Sequence, residues 1–450
     1  MSATSNNIIS LRRHDLDNLR TFLTGLVVVH HTAVAYGAPG GTPFKSAITR
    51  LAFPGAEIPL TISAAFNQSF FMGLFFWISG RMSAQSLERI DRNPNRTRWS
   101  FMKSKVLRLG LVAAVYSFLV QPFISLIPLK EWTYSSISGQ LAGYFSTMRS
   151  VRGPVWYTTN LLLMDAITAF VAPTIETPRT TDEKNETQIV ENSSQKVPSW
   201  YNLLSNYGWI GAAVVSFFVR LYYPVGTNLP ITALQPAHGA QYVLAYTMGH
   251  ASWRYGTSFT SPFTLDNTDQ EEMDTESGRS LHNKSDSSTR SIITATLVSL
   301  TTLPLVWLPY VFRDTAENWV ANSLTDVSGG WNYPAVIYAF WNEFSFVLLC
   351  PAFVKYFAAW YHKPASSSLF QAKYSYGAFI VHMLVSILPE IAFDRFLGYG
   401  GNNDALATNS VWRWLGPSVM TVVVGAVNVY GSFGVAKFCL DMFPSLRRFI

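Results

Sequence analysis

The chain has 450 residues, of which 49% are hydrophobic, 15% aromatic and only 13% charged. A soluble globular domain carries roughly 25% charged residues, so a string of soluble domains is excluded. The net charge of +6 is modest, and its basic residues cluster beside apolar runs, which suits a membrane surface rather than nucleic acid. Cys350 and Cys439 both sit inside apolar runs and cannot build a disulfide framework or a cysteine-based metal site.

A bilayer core of about 30 Å needs roughly 20 mostly apolar helical residues. In chain order such stretches fall near 19–37, 64–80, 106–128, 154–174, 206–224, 236–252, 291–312, 333–356, 370–392 and 412–436. The expected fold is all-α, a polytopic membrane helix bundle of about ten transmembrane helices. The membrane domain covers 19–436, with a cytoplasmic segment at 1–18 and a cytoplasmic tail at 437–450. Arg12-Arg13, an apolar run and Ala33-Val34-Ala35 imitate a cleaved leader. Arg20 and the His30-His31 pair break that apolar run, so it reads as the first span.

Charge asymmetry sets the orientation. Arg12, Arg13 and Arg20 precede or open the first span. The link after the second holds Arg81, Arg89, Arg92, Arg96, Arg98, Lys103, Lys105 and Arg108 against Glu88 and Asp91. Lys355, Lys363 and Lys373 flank the ninth span, and Arg447-Arg448 lie near the C-terminus. An even number of spans puts all of these on one side, so both termini are expected in the cytoplasm. The alternate loops are poor in basic residues, with Lys45 and Arg50 in 38–63 and Arg313 alone in 313–331. Residues 176–199 and 256–290 are rich in Ser, Thr, Asn and acids and are expected to be flexible cytoplasmic loops. The sequon Asn185-Glu186-Thr187 would then remain unglycosylated.

Ionisable groups within a span are costly and are functional candidates by default. Arg20 and His31 are eleven positions apart, which returns a helix to within roughly 20° of its starting direction. They share one face about 16 Å apart, with Arg20 at the cytoplasmic boundary and His31 slightly beyond the midplane. His30 points about 100° away and is not expected to do the same work. Asp165, Glu343 and His382 are further intramembrane candidates, and His238 and His250 lie near opposite ends of the sixth span. A single His or Asp in a bundle also commonly just hydrogen-bonds across helices, and Asp165, His238 and His250 fit that description. Arg20 alone would also serve as a positive-inside anchor. Ser79-Gly80 after Phe75-Phe76-Trp77-Ile78 reads locally as a helix terminator. Soluble-enzyme motifs such as G-x-S-x-G, the P-loop, H-E-x-x-H and the dinucleotide fingerprint are absent.

Four segments together resemble the membrane acyltransferase-3 family. Asp17-x-x-Arg20-x(10)-His31 resembles its first-helix signature, and Phe75-Phe76-Trp77-Ile78-Ser79-Gly80 resembles its aromatic second-helix motif. Gly153-Pro154-Val155-Trp156-Tyr157 resembles its aromatic start of a later helix. Ser375-Tyr376-Gly377-Ala378-Phe379-Ile380-Val381-His382 resembles its closing S-x-G-x-Y-x-x-H helix. Order and spacing agree over about 17–435, and the branch that looks most similar contains glucan biosynthesis protein C, with long loops of a fungal type. Two positions depart from the pattern: Arg81 stands where an apolar residue is usual, and Phe379 replaces Tyr.

The resemblance implies no bound cofactor. It implies acyl-CoA as co-substrate, approached from the cytoplasm, and an acceptor hydroxyl on a sugar, glycan or small metabolite. By residue match His31 is the catalytic histidine and Arg20 its essential partner. Asp17, Ser79, Arg81, Trp156 and His382 are expected to bind substrate. O-acyl transfer needs a base for the hydroxyl proton and a stabilised oxyanion, which His31 suits, oriented by a carboxylate at Glu343 or Asp165. His31 could act as base or carry the acyl group. CoA phosphates would meet Arg20 and the basic 81–108 link. The competing reading is a secondary transporter with an intramembrane His/Asp/Glu proton relay.

Overall fold

The computed structural model describes residues 12–129, 131–172, 197–257, 259, 278–311, 319–398 and 409–449. Among them all regular structure is helical, and the one extended pairing is an isolated bridge between Ser150 and Ile231. Ten long rods follow one another: α1 (His14–Ala35), α2 (Ile58–Asp91), α3 (Arg98–Leu126), α4 (Val155–Val171) and α5 (Ser199–Arg220). The second five are α6 (Pro236–Arg254), α7 (Ser285–Tyr310), α8 (Tyr333–Trp360), α9 (Ala372–Phe396) and α10 (Ser410–Met442). Short helices Ile48–Leu51, Tyr134–Ser146 and Trp319–Ser328 lie in the connections.

Seven rods (α2, α3, α5 and α7 to α10) are long and apolar enough to cross a membrane. The chain is therefore an integral, multi-pass membrane protein. The other three coincide with expected spans but fall short, α4 because it has 17 residues. In α1 the apolarity is interrupted by Arg20, His30 and His31, and in α6 by His238, Gln241 and His250. These polar helices are interior ones. α1 packs against α2, α8, α9 and α10, while α6 lies along α2 and α5. Peripheral α5 and α7 turn Val215, Phe218, Ile293 and Leu297 outward, as lipid-facing helices do.

Local chemistry fixes the helix ends. Thr97 caps α3 by accepting from the Ser100 amide, Asn332 caps α8 from Ala335, and Asn409 caps α10 from Trp412. Pro59, Pro236 and Pro334 occupy first turns, where a missing N–H costs nothing. α3 contains two π-helical turns, Val106–Gly110 and Tyr116–Val120. Arg98 bridges Asp91 and the terminal carbonyls of α4 at Ala169 and Ala172.

Several expectations need correction. Ser79-Gly80 does not terminate its helix, since α2 runs on to Asp91 and carries the first part of the basic link. A Cβ on Gly80 would stand 2.1 Å from the Tyr246 carbonyl oxygen, and one on Gly249 2.0 Å from that of Trp77. The two glycines let α2 and α6 cross backbone to backbone. The 256–290 segment is not loop throughout: its last part, from Gly278, is helical and leads into α7. Its start packs inward, with Phe259 buried and its ring 5.3 Å from Trp77 and 5.8 Å from Phe346. Residues 173–196, with the sequon, and 260–277 lie outside the described residues.

Candidate functional site

His31 sits about four-fifths of the way along α1, where that helix faces α9. Its ring lies 5.1 Å from that of His382 and 5.7 Å from that of His30. His31 and His30 both line a cavity of about 1000 Å³. The wall is built from the second half of α1, the first half of α2, the ends of α3 and α7, the first two turns of α4, α6 and α8, Phe379 and Met383 of α9, and connections including 39–43 and 150–154. The cavity therefore opens at the end of the bundle opposite Arg20. The expectation for His30 needs amendment, because it faces the same space. Its ring packs on Phe71 at 5.1 Å, and it is His31 that meets His382.

His382 is fully buried behind His31 and does not line the cavity. Its Nδ1 lies 2.5 Å from the Phe379 carbonyl oxygen, which can only accept, so Nδ1 carries the proton. The neutral ring then presents the lone pair of Nε2. That Nε2, like His31 Nδ1, is buried without a partner. Two imidazoles side by side with unused ring nitrogens form a pair that can pass or share a proton.

The four separated motifs meet here. Ser79 Oγ and Tyr157 OH are 2.6 Å apart, linking α2 to α4. The Tyr157 ring contacts Phe76 at 4.9 Å, Phe75 at 5.7 Å and Phe379 at 5.6 Å. Phe379 in turn lies 5.8 Å from His382. Gly153 opens α4 with φ +71°, and a Cβ there would lie 2.6 Å from the Tyr116 ring, so glycine is required on both counts. Phe379, where tyrosine is usual, thus serves as an aromatic spacer between Tyr157 and the histidine pair. Trp156 lines the cavity and packs on Tyr242 at 5.8 Å.

At the other end of α1, Arg20 donates from Nη2 to the Ala372 carbonyl at 3.1 Å and lies 3.5 Å from Asp17. Asp17 also pairs with Arg12 at 2.6 Å, and Thr21 meets Ser375 at 2.8 Å. This locks α1 to the start of α9, so Arg20 and His382 both serve the same helix contact from different levels. The Arg20 side chain keeps 32% of its surface exposed. Arg81 donates to Ser252 at 3.0 Å and lies over the Trp253 ring, joining α2 to α6.

Neither carboxylate expected to orient His31 does so. Asp165 is fully buried, ion-paired to Lys105 at 2.8 Å, and accepts from Ser83 at 2.5 Å and Tyr246 at 2.7 Å. Glu343 is fully buried in α8, accepts from Asn342 at 3.0 Å, and does not line the cavity. His238 does line it, one helix away from His31, together with Gln68, Tyr242 and Tyr338. Sequence reasoning passed over these last three. Their signal was a polar side chain on an otherwise apolar span, which is weak for one residue and visible only once the helices are assembled.

The sequence model of the acyltransferase-3 family, described as an acyltransferase domain, matches residues 13–436, nearly the whole chain. No curated protein and no solved structure matches the chain significantly.

Proposed function

The chain belongs to the acyltransferase-3 family, and on that premise we propose that it moves an acyl group from acyl-CoA to a hydroxyl of a sugar, glycan or small metabolite. The observation that carries this reading is His31 on the wall of a 1000 Å³ cavity, backed by His382 where four motifs converge. His31 takes the acceptor's hydroxyl proton, or carries the acyl group between donor and acceptor. His382 holds the second imidazole in place and shares the proton. Asp165 and Arg81 have no direct part in this scheme, since their partners lie elsewhere, and neither has Glu343, which does not line the cavity.

We further propose ten crossings with both termini cytoplasmic, the interior helices α1 and α6 and the short α4 completing the set. The donor then approaches from the Arg20 end and the acceptor from the cavity mouth. Gln68, Tyr242, Trp156 and His238 give that cavity amide, hydroxyl, aromatic and imidazole surfaces, which suit a polyhydroxylated acceptor. The long polar segments suit the branch that contains glucan biosynthesis protein C.

The test is release of CoA thiol by purified protein reconstituted in vesicles, with short acyl-CoA donors and a panel of sugars and polyols. Thiol release that depends on acceptor is expected. A folded protein that consumes no acyl-CoA, yet accumulates a solute against a proton gradient, would replace this reading with the transporter one.

A further inference from the structure

Beyond the catalytic pair, α9 carries His382, Ser386, Glu390 and Asp394 at every fourth position. All four are buried, with relative exposures of 0%, 3%, 3% and 6%. Each step of four adds about 40° of rotation, so the line winds slowly round the helix and spans about 18 Å. It runs within the seam where α1 and α10 pack on α9. One end is the imidazole pair. At the other end the Asp394 carboxylate accepts from Ser46 Oγ at 2.6 Å and from the Ala47 amide at 2.9 Å. These belong to the connection after α1, at the end where the cavity opens.

Interhelical bonding explains part of this line. Asn428 of α10 donates to Thr32 at 2.8 Å and to Glu390 at 3.3 Å. It does not explain the rest. His382 Nε2, Ser386 Oγ, Ser432 Oγ and Asn428 Oδ1 are all buried without a partner. Among the described residues no ion pair reaches Glu390. The titratable group nearest it is Asp394, one turn on along its own helix, with His382 two turns back, while α1 presents Thr32 and α10 presents Asn428 and Ser432. Arg413, near the start of α10, is occupied by the Leu51 carbonyl and the Phe53 ring. Buried hydroxyls and carboxyls with spare hydrogen-bonding capacity, spaced about one helical turn apart, are what a chain of bridging waters needs.

We propose that Ser386, Glu390 and Asp394 form a proton route behind the active site, joining His382 to the bundle end where the cavity opens. Its purpose rests on the transferase reading, since a bound acceptor fills the cavity and shuts off that exit for the proton on His31. In the transfer the acceptor O–H bond breaks, its proton goes to imidazole, and the oxygen forms the new bond to the acyl carbon. The C–S bond breaks with its electron pair left on sulfur, which takes up one buffer proton at the donor side to balance the one released at the cavity end. The imidazole proton leaves along the line through Ser386 and Glu390, restoring the base.

The route is tested in sealed proteoliposomes with the pH on each face set separately. Two signals are read: CoA thiol release, and the ¹⁵N resonances of His382, assigned with His382→Gln. With the cavity filled by saturating polyol and no acyl-CoA present, the wild-type His382 signal follows the pH on the cavity side. Glu390→Gln keeps the Asn428 contact and thermal stability, loses that response, and slows turnover by about tenfold, less than the 10²–10⁴-fold of losing a base. Ser386→Ala, which removes no charge, has the same effect on the His382 signal and is read if Glu390→Gln folds poorly. His382 following the cavity-side pH equally in wild type and both variants would overturn the route, protons then arriving through the cavity itself. If no acyl-CoA is consumed, the transferase reading fails while the His382 signal still decides the route.

Discussion

Two of the polar centres buried in this bundle differ in how completely they are satisfied. Around Asp165, both carboxylate oxygens are engaged: Ser83 and Tyr246 donate to one and Lys105 pairs with the other, drawing α2, α3, α4 and α6 together. At His31 and His382, by contrast, ring nitrogens are buried and unused, and the pair borders a large cavity. A closed network in a low-dielectric interior rigidifies the fold. An open one bears a desolvation cost with no bond in return, and persists where a ligand or a proton completes it. Burial alone therefore does not separate structural from reactive groups. Satisfaction does.

The largest effect expected from breaking this contrast is at His31. His31→Ala should cut acyl-CoA turnover by roughly 10²–10⁴-fold or more, with thermal stability near wild type. A variant that keeps its turnover would move the chemistry to His382 or His238. Asp165→Ala should do the reverse. It strands Lys105 in a mostly buried position and should cost about 3 kcal/mol of stability, with turnover per folded molecule preserved. Thermal unfolding in detergent alongside thiol release separates the two, and lost turnover without lost stability would put Asp165 in the reaction after all.

Smaller effects sharpen the comparison. Gly80→Ala forces α2 away from α6 and should cost about 1–3 kcal/mol, the range for overpacking, read as a lower unfolding temperature. An unchanged temperature would mean that the crossing yields freely. His30→Ala is the mildest. It borders the cavity but lacks the His382 contact, so the loss in kcat/KM should stay below about 1 kcal/mol. A loss matching that of His31→Ala would show that the two histidines act as one unit.

The class of fold was legible because composition and 20-residue apolar runs dominate a membrane sequence. Ten rods follow the ten expected stretches, yet only seven are apolar enough to stand as spans on their own. Of the three that fall short, α4 is merely short, while α1 and α6 are interior helices that carry Arg20, His31 and His238, so hydropathy is weak where those candidates lie. Arg20 and His31 on one face could be worked out from helical period alone. The partner of His31 could not, because His382 is 351 positions away and the orienting carboxylates Glu343 and Asp165 looked equally available. Gly80 illustrates the same limit, reading as a stop in one dimension and as a helix crossing in three.

That crossing has a consequence for insulation. A membrane protein with a chamber of about 1000 Å³ and buried ionisable groups beside it must not leak. Where Gly80 and Gly249 meet, main chain touches main chain and no bore remains for a file of water. Beside it the Phe75, Phe76, Tyr157 and Phe379 rings close the gap between α2, α4 and α9 like a gasket. The seam and the rings together form a close-packed wall that excludes water between α2, α4, α6 and α9.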